Sequence, residues 1–438
     1  VERSTPEMVD CILEGLHWLG LTWNEGPYCQ SQRLQRYRDI ARQLLESGQA
    51  YRCFCSPEVL IEKKEKAPDN REWQYDGHCR HLSERALETA VGEQQPFAIR
   101  FKVPDQQQIQ FEDQVYGSVK VATEYIEDFV IQRRGGTPTY HLSVVTDDAD
   151  MNISHVLRGS DHLTNTSKHI LLYQALQEPV PFFIHLPLIL GADKKRLSKR
   201  HGATSLLEYR HQGFLPAAIK NYLARLGWSP PGNQEIFSEQ ELIEVFDISH
   251  INKADAVFDP LKLEWMNAKY ISQSKIRDLE TPVRNSLRQH QWWDPAWEEK
   301  TDNDFSRTVE LLKPRAKRLD DFARLGQPFF CEKFKYESEA VQKFLVFDDP
   351  EQITLLFLTI QQLVEAYRQL DPFDLETTEK TLRTITAKQG IKAGQLIGAI
   401  RVALTGQAVS PGIFDVIVTL GQKQTLERLN RLLLFFDV

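Results

Sequence analysis

The pattern of apolar and polar positions divides the chain into an α/β part and a helical part. Apolar residues recur at helical spacing from Met8 to Leu19 and again over about 33–47, which predicts two helices. Short apolar runs and alternation between residues 97 and 190 predict strands, including one at Tyr140–Val145 and one at Leu186–Leu190. From about Gly202 onward the strand signals fade and helical periodicity replaces them.

Composition narrows the class of protein. The 438 residues suffice for about three domains. With 41% hydrophobic and 26% charged residues, the chain fits a soluble globular protein, and its apolar stretches are too short for a bilayer span. Six cysteines are too sparse for a disulfide scaffold and no secretory signal is visible, so we expect a cytoplasmic protein. The net charge of −8 does not exclude a nucleic-acid partner, because binding needs only a local basic face.

A group of cysteines and a histidine has the spacing of a metal site. The four candidate ligands form two pairs, each two residues apart: Cys53 with Cys55, and Cys79 with His81. Two such pairs separated by a loop can close a tetrahedral zinc site, which would be structural because no position stays open. Tyr75 or His78 could replace one ligand. The alternative is a reduced loop that holds no metal.

A basic loop follows an apolar strand. Five of the seven residues over 194–200 are Lys or Arg. Such a concentration of charge at the carboxyl end of a strand can neutralise a polyphosphate, which suits phosphoryl or adenylyl chemistry. Charge alone equally fits a solvated surface loop.

A polar cluster lies where other predicted strands end. It comprises residues 136–143, Asp147–Asp148 and 156–162. Arg158 could hold a carboxylate with two parallel hydrogen bonds, and Tyr140 could orient an amino acid. By composition alone, these residues could equally be turn and capping residues.

Together, these stretches resemble the bacterial glutamyl-tRNA synthetases of class I. Arg-Leu-Ser-Lys-Arg at 196–200 is similar to their KMSKS signature in its K-L-S-K-R form, although Arg196 replaces the usual first lysine. The resemblance runs in order along nearly the whole chain, through Leu-Gly-Leu-Thr-Trp-Asn-Glu-Gly-Pro (19–27), Thr-Pro-Thr-Tyr-His-Leu (137–142), Leu-Arg-Gly-Ser-Asp-His (157–162), Asn-Tyr-Leu-Ala-Arg-Leu-Gly-Trp (221–228) and Arg-Val-Ala-Leu-Thr-Gly (401–406).

The resemblance implies a four-part organisation. An α/β Rossmann-type catalytic domain would be interrupted by an α+β acceptor-binding domain and followed by two all-α regions. The implied ranges are 1–32 with 132–200 for the catalytic domain, 33–131 for the inserted domain with the zinc site, 201–275 for the stem-contact domain and 276–438 for the anticodon-binding region.

It also implies the reaction and its residues. Glutamate would react with ATP to give an adenylate, and the glutamyl group would pass to the 3′ end of tRNA-Glu. Lys199 would stabilise the α-phosphate and the departing pyrophosphate, Arg196 and Ser198 would shape the loop, and Leu197 would line the ATP site. Mg²⁺ would screen the phosphates.

The implied partners are glutamate and tRNA. Arg158 and Tyr140 would help to hold glutamate. The zinc-bearing insertion would contact the acceptor end, and the helical half would contact the stem and anticodon. We expect a monomer with no membrane contact, and tRNA-Gln remains open as a second substrate.

Two departures from the family change the expectation for this chain. The family begins with a strand and a loop that bears its HIGH signature, whereas the chain starts at Val1, so it would be N-terminally truncated. We therefore expect it to form the adenylate poorly. Ser160 stands where an acidic residue is common. The alternative is a non-catalytic tRNA-binding paralogue or fragment; a glutaminyl-tRNA synthetase is disfavoured because the C-terminal third reads helical.

Overall fold

The computed structural model describes residues 5–66, 73–197, 205–293, 297, 302–331 and 334–436. An α/β part precedes a helical part, which confirms the division predicted from periodicity. The strands are β1 (Ala50–Cys53), β2 (Ala98–Phe101), β3 (Gln108–Asp113), β4 (Gly117–Ala122), β5 (Val130–Gln132), β6 (His155–Gly159), β7 (Phe182–Leu186), β8 (Ile189–Leu190) and β9 (Ala256–Val257). The helices of the first part are α1 (Pro6–Trp18), α2 (Leu34–Glu46), α3 (Pro57–Glu65), α4 (Glu84–Gly92), α5 (Tyr140–Asp150) and α6 (Leu163–Leu176).

The two predicted N-terminal helices are α1 and α2. The hydroxyl of Thr5 accepts a hydrogen bond from the Met8 amide, which satisfies one free donor at the start of α1. Helix α2 ends before Gly48, whose φ of 74° lies in the left-handed region that glycine adopts without strain. The face that α2 buries is the predicted apolar one, comprising Tyr37, Ile40, Ala41 and Leu44.

A four-stranded sheet carries the part of the polar cluster that includes Arg158. Its order is β4-β3-β7-β6, with β6 parallel to β7 and β3 parallel to β7. In this register Arg158 on β6 lies beside His185 on β7, and Asp113 of β3 lies beside Phe183. Strands β3 and β4 belong to the segment 33–131, so this sheet joins the expected insertion to the strands of the catalytic part.

A second sheet carries the first cysteines. Strands β1, β2 and β5 are antiparallel, and β1 pairs with β2 from Ala50 beside Phe101 to Cys53 beside Ala98. Helix α2 packs on this sheet, since Tyr37 and Leu44 share one buried cluster with residues of β2 and β5. Cys53 is therefore fixed at the end of a paired strand.

Two strand predictions are wrong. Residues 140–145 begin α5, because Leu142, Val145 and Ala149 recur on one helical face that packs into the core. The strand predicted at 186–190 is split into the end of β7 and the short β8, which pairs in parallel with β9. Strand β9 also lies beyond the point where the strand signals fade.

The second part of the chain is helical, with one large buried cluster that runs from Ile271 to Leu432 and a smaller one in which Phe214, Tyr222 and Met266 pack with Leu19. Gly421 interrupts its last helix with φ 76° and ψ 167°, a conformation open essentially to glycine alone. Within the described residues, no helix is both long and apolar enough to cross a bilayer. The helices are α7 (Leu206–His211), α8 (Pro216–Arg225), α9 (Glu239–Val245), α10 (Pro260–Gln273), α11 (Ile276–Gln289), α12 (Asp302–Leu312), α13 (Leu319–Phe330), α14 (Ser338–Phe344), α15 (Pro350–Arg368), α16 (Leu375–Gln389), α17 (Ala393–Thr405) and α18 (Ile413–Phe436).

Candidate active site and metal centre

Arg158 lies near the carboxyl end of β6 and is held by side chains from β7 and α6. Its Nε donates to His185 Nε2 at 3.2 Å, and its Nη2 donates to Thr166 Oγ1 at 2.7 Å. Its Nη1 lies 3.0 Å from His169 Nδ1. We call Arg158, Thr166, His169 and His185 the Arg158 cluster. Its three acceptors are all neutral groups when both rings are unprotonated, so the guanidinium is fixed in direction without being neutralised.

Burial keeps the two rings of the Arg158 cluster uncharged. It is the largest cause that lowers the pKa of His169, to about 2, and the Arg158 charge adds to it. Burial also lowers the pKa of His185, against the opposing effect of Asp113. His141 follows the same rule, with a pKa lowered to about 4 by burial and by the charges of Lys168 and Arg158. The charges of Arg158 and Lys168 therefore give the surroundings of these uncharged rings a positive potential.

Tyr140 stands at the start of α5, next to the Arg158 cluster. Its ring centroid lies 5.7 Å from that of His169 and 5.4 Å from that of His162. Tyr140 is 44% exposed, so it lies on the solvent-facing side of the Arg158 cluster. Helix α5 thus brings together the two residues that the sequence proposed for an amino acid.

The acidic pair of α5 does not join this pocket through a hydrogen bond. Asp147 accepts from Tyr37 and Gln30, at 2.9 and 2.8 Å, and so ties α5 to α2. Asp148 accepts from Tyr173 at 3.3 Å, and burial raises its pKa. Both carboxylates therefore act in packing α5 against its neighbours.

The described start of the basic loop returns to the end of β6. Residues 191–195 form a tight turn in which Gly191 donates to the Lys195 carbonyl, and Arg196 then bridges back to Leu190. The Arg196 guanidinium lies 2.8 Å from the Asp161 carboxylate. Gly159 leaves room for that carboxylate, since a Cβ there would be 2.6 Å from Asp161 Oδ1.

This contact brings the loop within three residues of Arg158 along the chain. Leu197 is half-buried, and its amide donates to the Ile189 carbonyl at 2.9 Å. Ser198 and Lys199, the other residues predicted for catalysis, lie outside the described residues.

Three of the four predicted metal ligands converge. The sulfurs of Cys53, Cys55 and Cys79 lie within 4.8 Å of one another, and we call these residues the sulfur cluster. The shortest separation, between Cys55 and Cys79, is 3.5 Å. Sulfurs bound to one tetrahedral zinc at about 2.3 Å would be about 3.8 Å apart, so this arrangement fits the ion. Hydrogen bonding from Cys79 and then from Tyr75 lowers the pKa of Cys53 to about 4.

The fourth corner of the sulfur cluster belongs to Tyr75. Its hydroxyl lies 3.5 Å from Cys53 Sγ and 3.7 Å from Cys55 Sγ, and it accepts from the Cys79 amide at 2.9 Å. The Arg100 guanidinium stacks 3.7 Å from the Tyr75 ring centroid and orients it. His81 is exposed and lies outside the group of converging sulfurs, whereas the Tyr75 hydroxyl faces them.

Two known protein families match the two parts of the chain. Residues 1–265 match the family described as tRNA synthetases class I (E and Q), catalytic domain. The chain belongs to this family. Residues 285–433 match the anticodon binding domain, which agrees with the helical architecture of that half. The class I fold and the resemblance read from the sequence are thereby confirmed.

Relatives of this class I synthetase are similar along nearly their whole length. It is 46% identical to "Glutamate--tRNA ligase 2" of Koribacter versatilis over 98% of this chain and 88% of the relative. It is 43% identical to the glutamate–tRNA ligase of Geobacter sulfurreducens over 100% and 90%. The solved glutamate tRNA ligase of Elizabethkingia meningosepticum, in complex with its amino acid, is 30% identical with a TM-score of 0.86, over 99% and 90% of the two chains.

The sequence reasoning missed the partners of Arg158 in this synthetase. Neither Thr166 nor His169 stood out, because nothing in their sequence context distinguishes them from the other residues of α6. His185 carried a usable signal, since a histidine inside an apolar strand must find a hydrogen-bond partner when it is buried. Asp113 ends an alternating strand and carried no signal of its own.

Proposed function

We propose that the protein activates glutamate with ATP and transfers the glutamyl group to the 3′ end of tRNA-Glu. The supporting observation is that every described group within hydrogen-bond distance of the Arg158 guanidinium is neutral, although its charge also acts on the buried Asp148 carboxyl. Among the described residues, no carboxylate lies within 4.0 Å of its guanidinium, although the group is half-buried and held by neutral acceptors. A desolvated cation without an anion is a binding site for one. Glutamate supplies a carboxylate of the right charge.

In this proposal Arg158 and Tyr140 hold the amino acid. Arg158 keeps an N–H on Nη1 beyond its contact with His169, and Nη2 has only a 3.4 Å contact to the His162 carbonyl besides Thr166. Two parallel hydrogen bonds to a carboxylate can therefore form from the two terminal nitrogens. The exposed face of Tyr140 closes the side of the pocket, and Lys168 adds positive potential.

The basic loop is proposed to bind ATP. Lys199 would stabilise the charge that develops on the α-phosphate and the leaving pyrophosphate, with Arg196, Leu197 and Ser198 shaping the loop. The Arg196–Asp161 contact supports this assignment, because it joins the loop to the strand that carries Arg158. The α-carboxylate of glutamate would attack the α-phosphorus of ATP as pyrophosphate leaves. Members of the family use Mg²⁺ with ATP, and the ion would screen the phosphates.

The tRNA would contact both parts of the chain. We assign its acceptor end to the segment 33–131 and its stem and anticodon to the helices beyond residue 201. The match of residues 285–433 to an anticodon-binding family supports the second assignment. We propose that the protein acts as a monomer in the cytoplasm, where ATP and tRNA are available. A non-catalytic paralogue is not favoured, because residues 1–265 match the catalytic-domain family and residues 285–433 match the anticodon-binding family.

Zinc is proposed at the sulfur cluster. Cys53, Cys55 and Cys79 would be three ligands, and Tyr75 or, after a local rearrangement, His81 the fourth. The three sulfurs lie within 4.8 Å of one another, close enough to bind one ion together, which supports a bound metal. The ion would tie the end of β1 to the segment around Cys79 and so hold the insertion in shape.

Aminoacylation of a tRNA-Glu transcript with radiolabelled glutamate, using protein expressed from its full gene, tests the proposal. Arg158→Ala should raise the KM for glutamate about a hundredfold, because it removes a desolvated charge that pairs with the substrate. The KM for ATP should change little, and the exposed Arg42→Ala should be neutral. No charging of tRNA-Glu, or an unchanged glutamate KM in Arg158→Ala, would contradict it. A parallel reaction with tRNA-Gln decides the second substrate.

A further inference from the structure

Behind Arg158 lies a fully buried acid–imidazole pair that the proposed reaction does not use directly. Asp113 Oδ2 is 2.6 Å from His185 Nδ1, and both side chains have 0% exposure. Asp113 ends β3, whereas His185 lies on β7, beside Arg158 in register. The pair thus connects the β3–β4 hairpin to the residue proposed to bind glutamate.

Hydrogen bonding leaves Asp113 only one way to face the histidine. Its Oδ1 accepts from the amides of Val115 and Tyr116 at 2.9 and 2.8 Å. Its Oδ2 is therefore the atom left for His185, and a carboxylate can only accept. The proton of a neutral His185 must then sit on Nδ1, and Nε2 must be an acceptor.

That tautomer is the one that Arg158 requires. Its Nε–H can only donate, and it points at His185 Nε2 at 3.2 Å. In the opposite tautomer the ring would turn an N–H toward the Arg158 Nε–H, and only the Thr166 hydroxyl, 3.2 Å from Nε2, could accept from it. Burial also lowers the pKa of His185, which favours the uncharged ring with one free lone pair.

We propose that Asp113 and His185 are positioning residues for Arg158, with Asp113 fixing the tautomer of His185 and His185 fixing the direction of the guanidinium that binds glutamate. The inference rests on the proposed function of Arg158 and adds the groups that orient it. Because a small misplacement of a charged clamp is costly, the pair should govern glutamate affinity rather than ATP affinity.

The variant Asp113→Asn is nearly isosteric and tests the tautomer directly. Its amide oxygen has to stay at the Oδ1 position to accept from Val115 and Tyr116, so its NH₂ group faces His185 Nδ1. His185 must then carry its proton on Nε2, against the Arg158 Nε–H. We expect the KM for glutamate to rise about tenfold or more, with the KM for ATP unchanged within about twofold.

A second substitution separates positioning from a structural role. Gln in place of His185 can present its carbonyl oxygen to Arg158 Nε while its NH₂ group donates to Asp113 Oδ2, as the required tautomer does. His185→Gln alone should therefore raise the glutamate KM far less than Asp113→Asn does. In the double variant two NH₂ groups would face each other, so the glutamine turns its NH₂ toward Arg158 and the glutamate KM should be at least as high as in Asp113→Asn alone. An equally high glutamate KM in His185→Gln alone and in Asp113→Asn would mean that the pair serves only to hold the fold.

Coupling to Arg158 distinguishes the failure of this inference from the failure of the proposed function. In an Arg158→Lys background, Asp113→Asn should add no further loss of glutamate affinity, because its target is gone. A full additional loss there, or an unchanged glutamate KM in folded Asp113→Asn protein, overturns the positioning role. If Arg158→Lys alone leaves the glutamate KM unchanged, the proposed role of Arg158 falls first.

If the Asp113→Asn protein accumulates poorly, variants of His185 alone test the inference. His185→Leu removes the acceptor and should raise the glutamate KM, whereas His185→Gln should raise it much less. Equal glutamate KM values in these two variants overturn the inference.

Discussion

The Arg158 cluster and the sulfur cluster both bury polar groups, but they differ in the charge of the ligand that each would bind. Arg158 is a cation whose partners in the chain are neutral, so its charge is left for an anion that comes and goes. The sulfur cluster gathers three soft ligand atoms, with a tyrosine hydroxyl beside them. These thiols would release their protons on binding a cation that then stays. The comparison teaches that the chain orients Arg158 with its own side chains, whereas the sulfurs converge on the position that the proposed zinc would occupy.

The largest effect is expected from removal of one sulfur of the sulfur cluster. Cys79→Ser should lower the zinc content of purified protein from about one ion per chain to near zero and destabilise the insertion by several kcal/mol. Elemental mass spectrometry and thermal unfolding measure the two effects. The exposed Cys11→Ser, which lies outside the cluster, is the matched control. Equal zinc content in the two variants would contradict a metal held by the sulfur cluster.

Acid should weaken the Arg158 cluster, because its rings are folded in the neutral form. The pKa of His169 is about 2 in the fold against an ordinary value of 6.5, so below pH 6.5 the unfolded chain binds a proton that the folded chain does not. Stability is therefore greatest above pH 6.5 and falls as the pH drops, by about 2 kcal/mol at pH 5 for this ring. Denaturant unfolding at pH 7.5, 6 and 5 measures it. His169→Asn should show a smaller slope; an equal slope would refute the assignment.

The fourth corner of the sulfur cluster can be decided by two substitutions. Tyr75→Phe removes the hydroxyl that faces Cys53 and Cys55, and should weaken zinc affinity about tenfold. His81→Ala removes an exposed ring and should leave the affinity unchanged. Competition with a chromogenic chelator measures both. The reverse order of effects would return His81 to the ligand set.

Three of the four residues predicted as zinc ligands converge, and local geometry explains why the fourth does not. Residues two apart in extended chain point to the same side, so Cys53 at the end of β1 and Cys55 converge. Residues 78–81 instead form a 3-10 turn, in which residues two apart point in different directions. Cys79 is therefore buried while His81 is exposed. Spacing alone could not reveal that difference.

The α/β and helical parts followed from periodicity, and Arg158 followed from its place at the end of a predicted strand. Its partners did not, because the contact between Asp113 and His185 joins residues 72 apart in sequence. Helix α5 was missed because its valines favour strands locally, whereas packing of one helical face decides the outcome. Tertiary contacts thus fix what local pattern leaves open.

The smallest effect is expected from loss of the contact between Arg196 and Asp161. It resembles the Arg158 cluster in using an arginine, but the Arg196 side chain is 69% exposed and its partner is a carboxylate. Solvent and salt screen such a pair, so it should contribute less than about 1 kcal/mol. Asp161→Asn should therefore raise the KM for ATP only about twofold, since it loosens the start of the loop without removing a ligand.

Salt distinguishes this pair from the buried cluster. Raising the ionic strength should erase the difference in ATP KM between the protein and Asp161→Asn, because an exposed ion pair is screened within about 10 Å at 0.1 M salt. The effect of Arg158→Ala on the glutamate KM should survive the same change, since its acceptors are shielded from solvent. A salt-resistant rise above about tenfold in Asp161→Asn would mean that Asp161 touches the substrate itself.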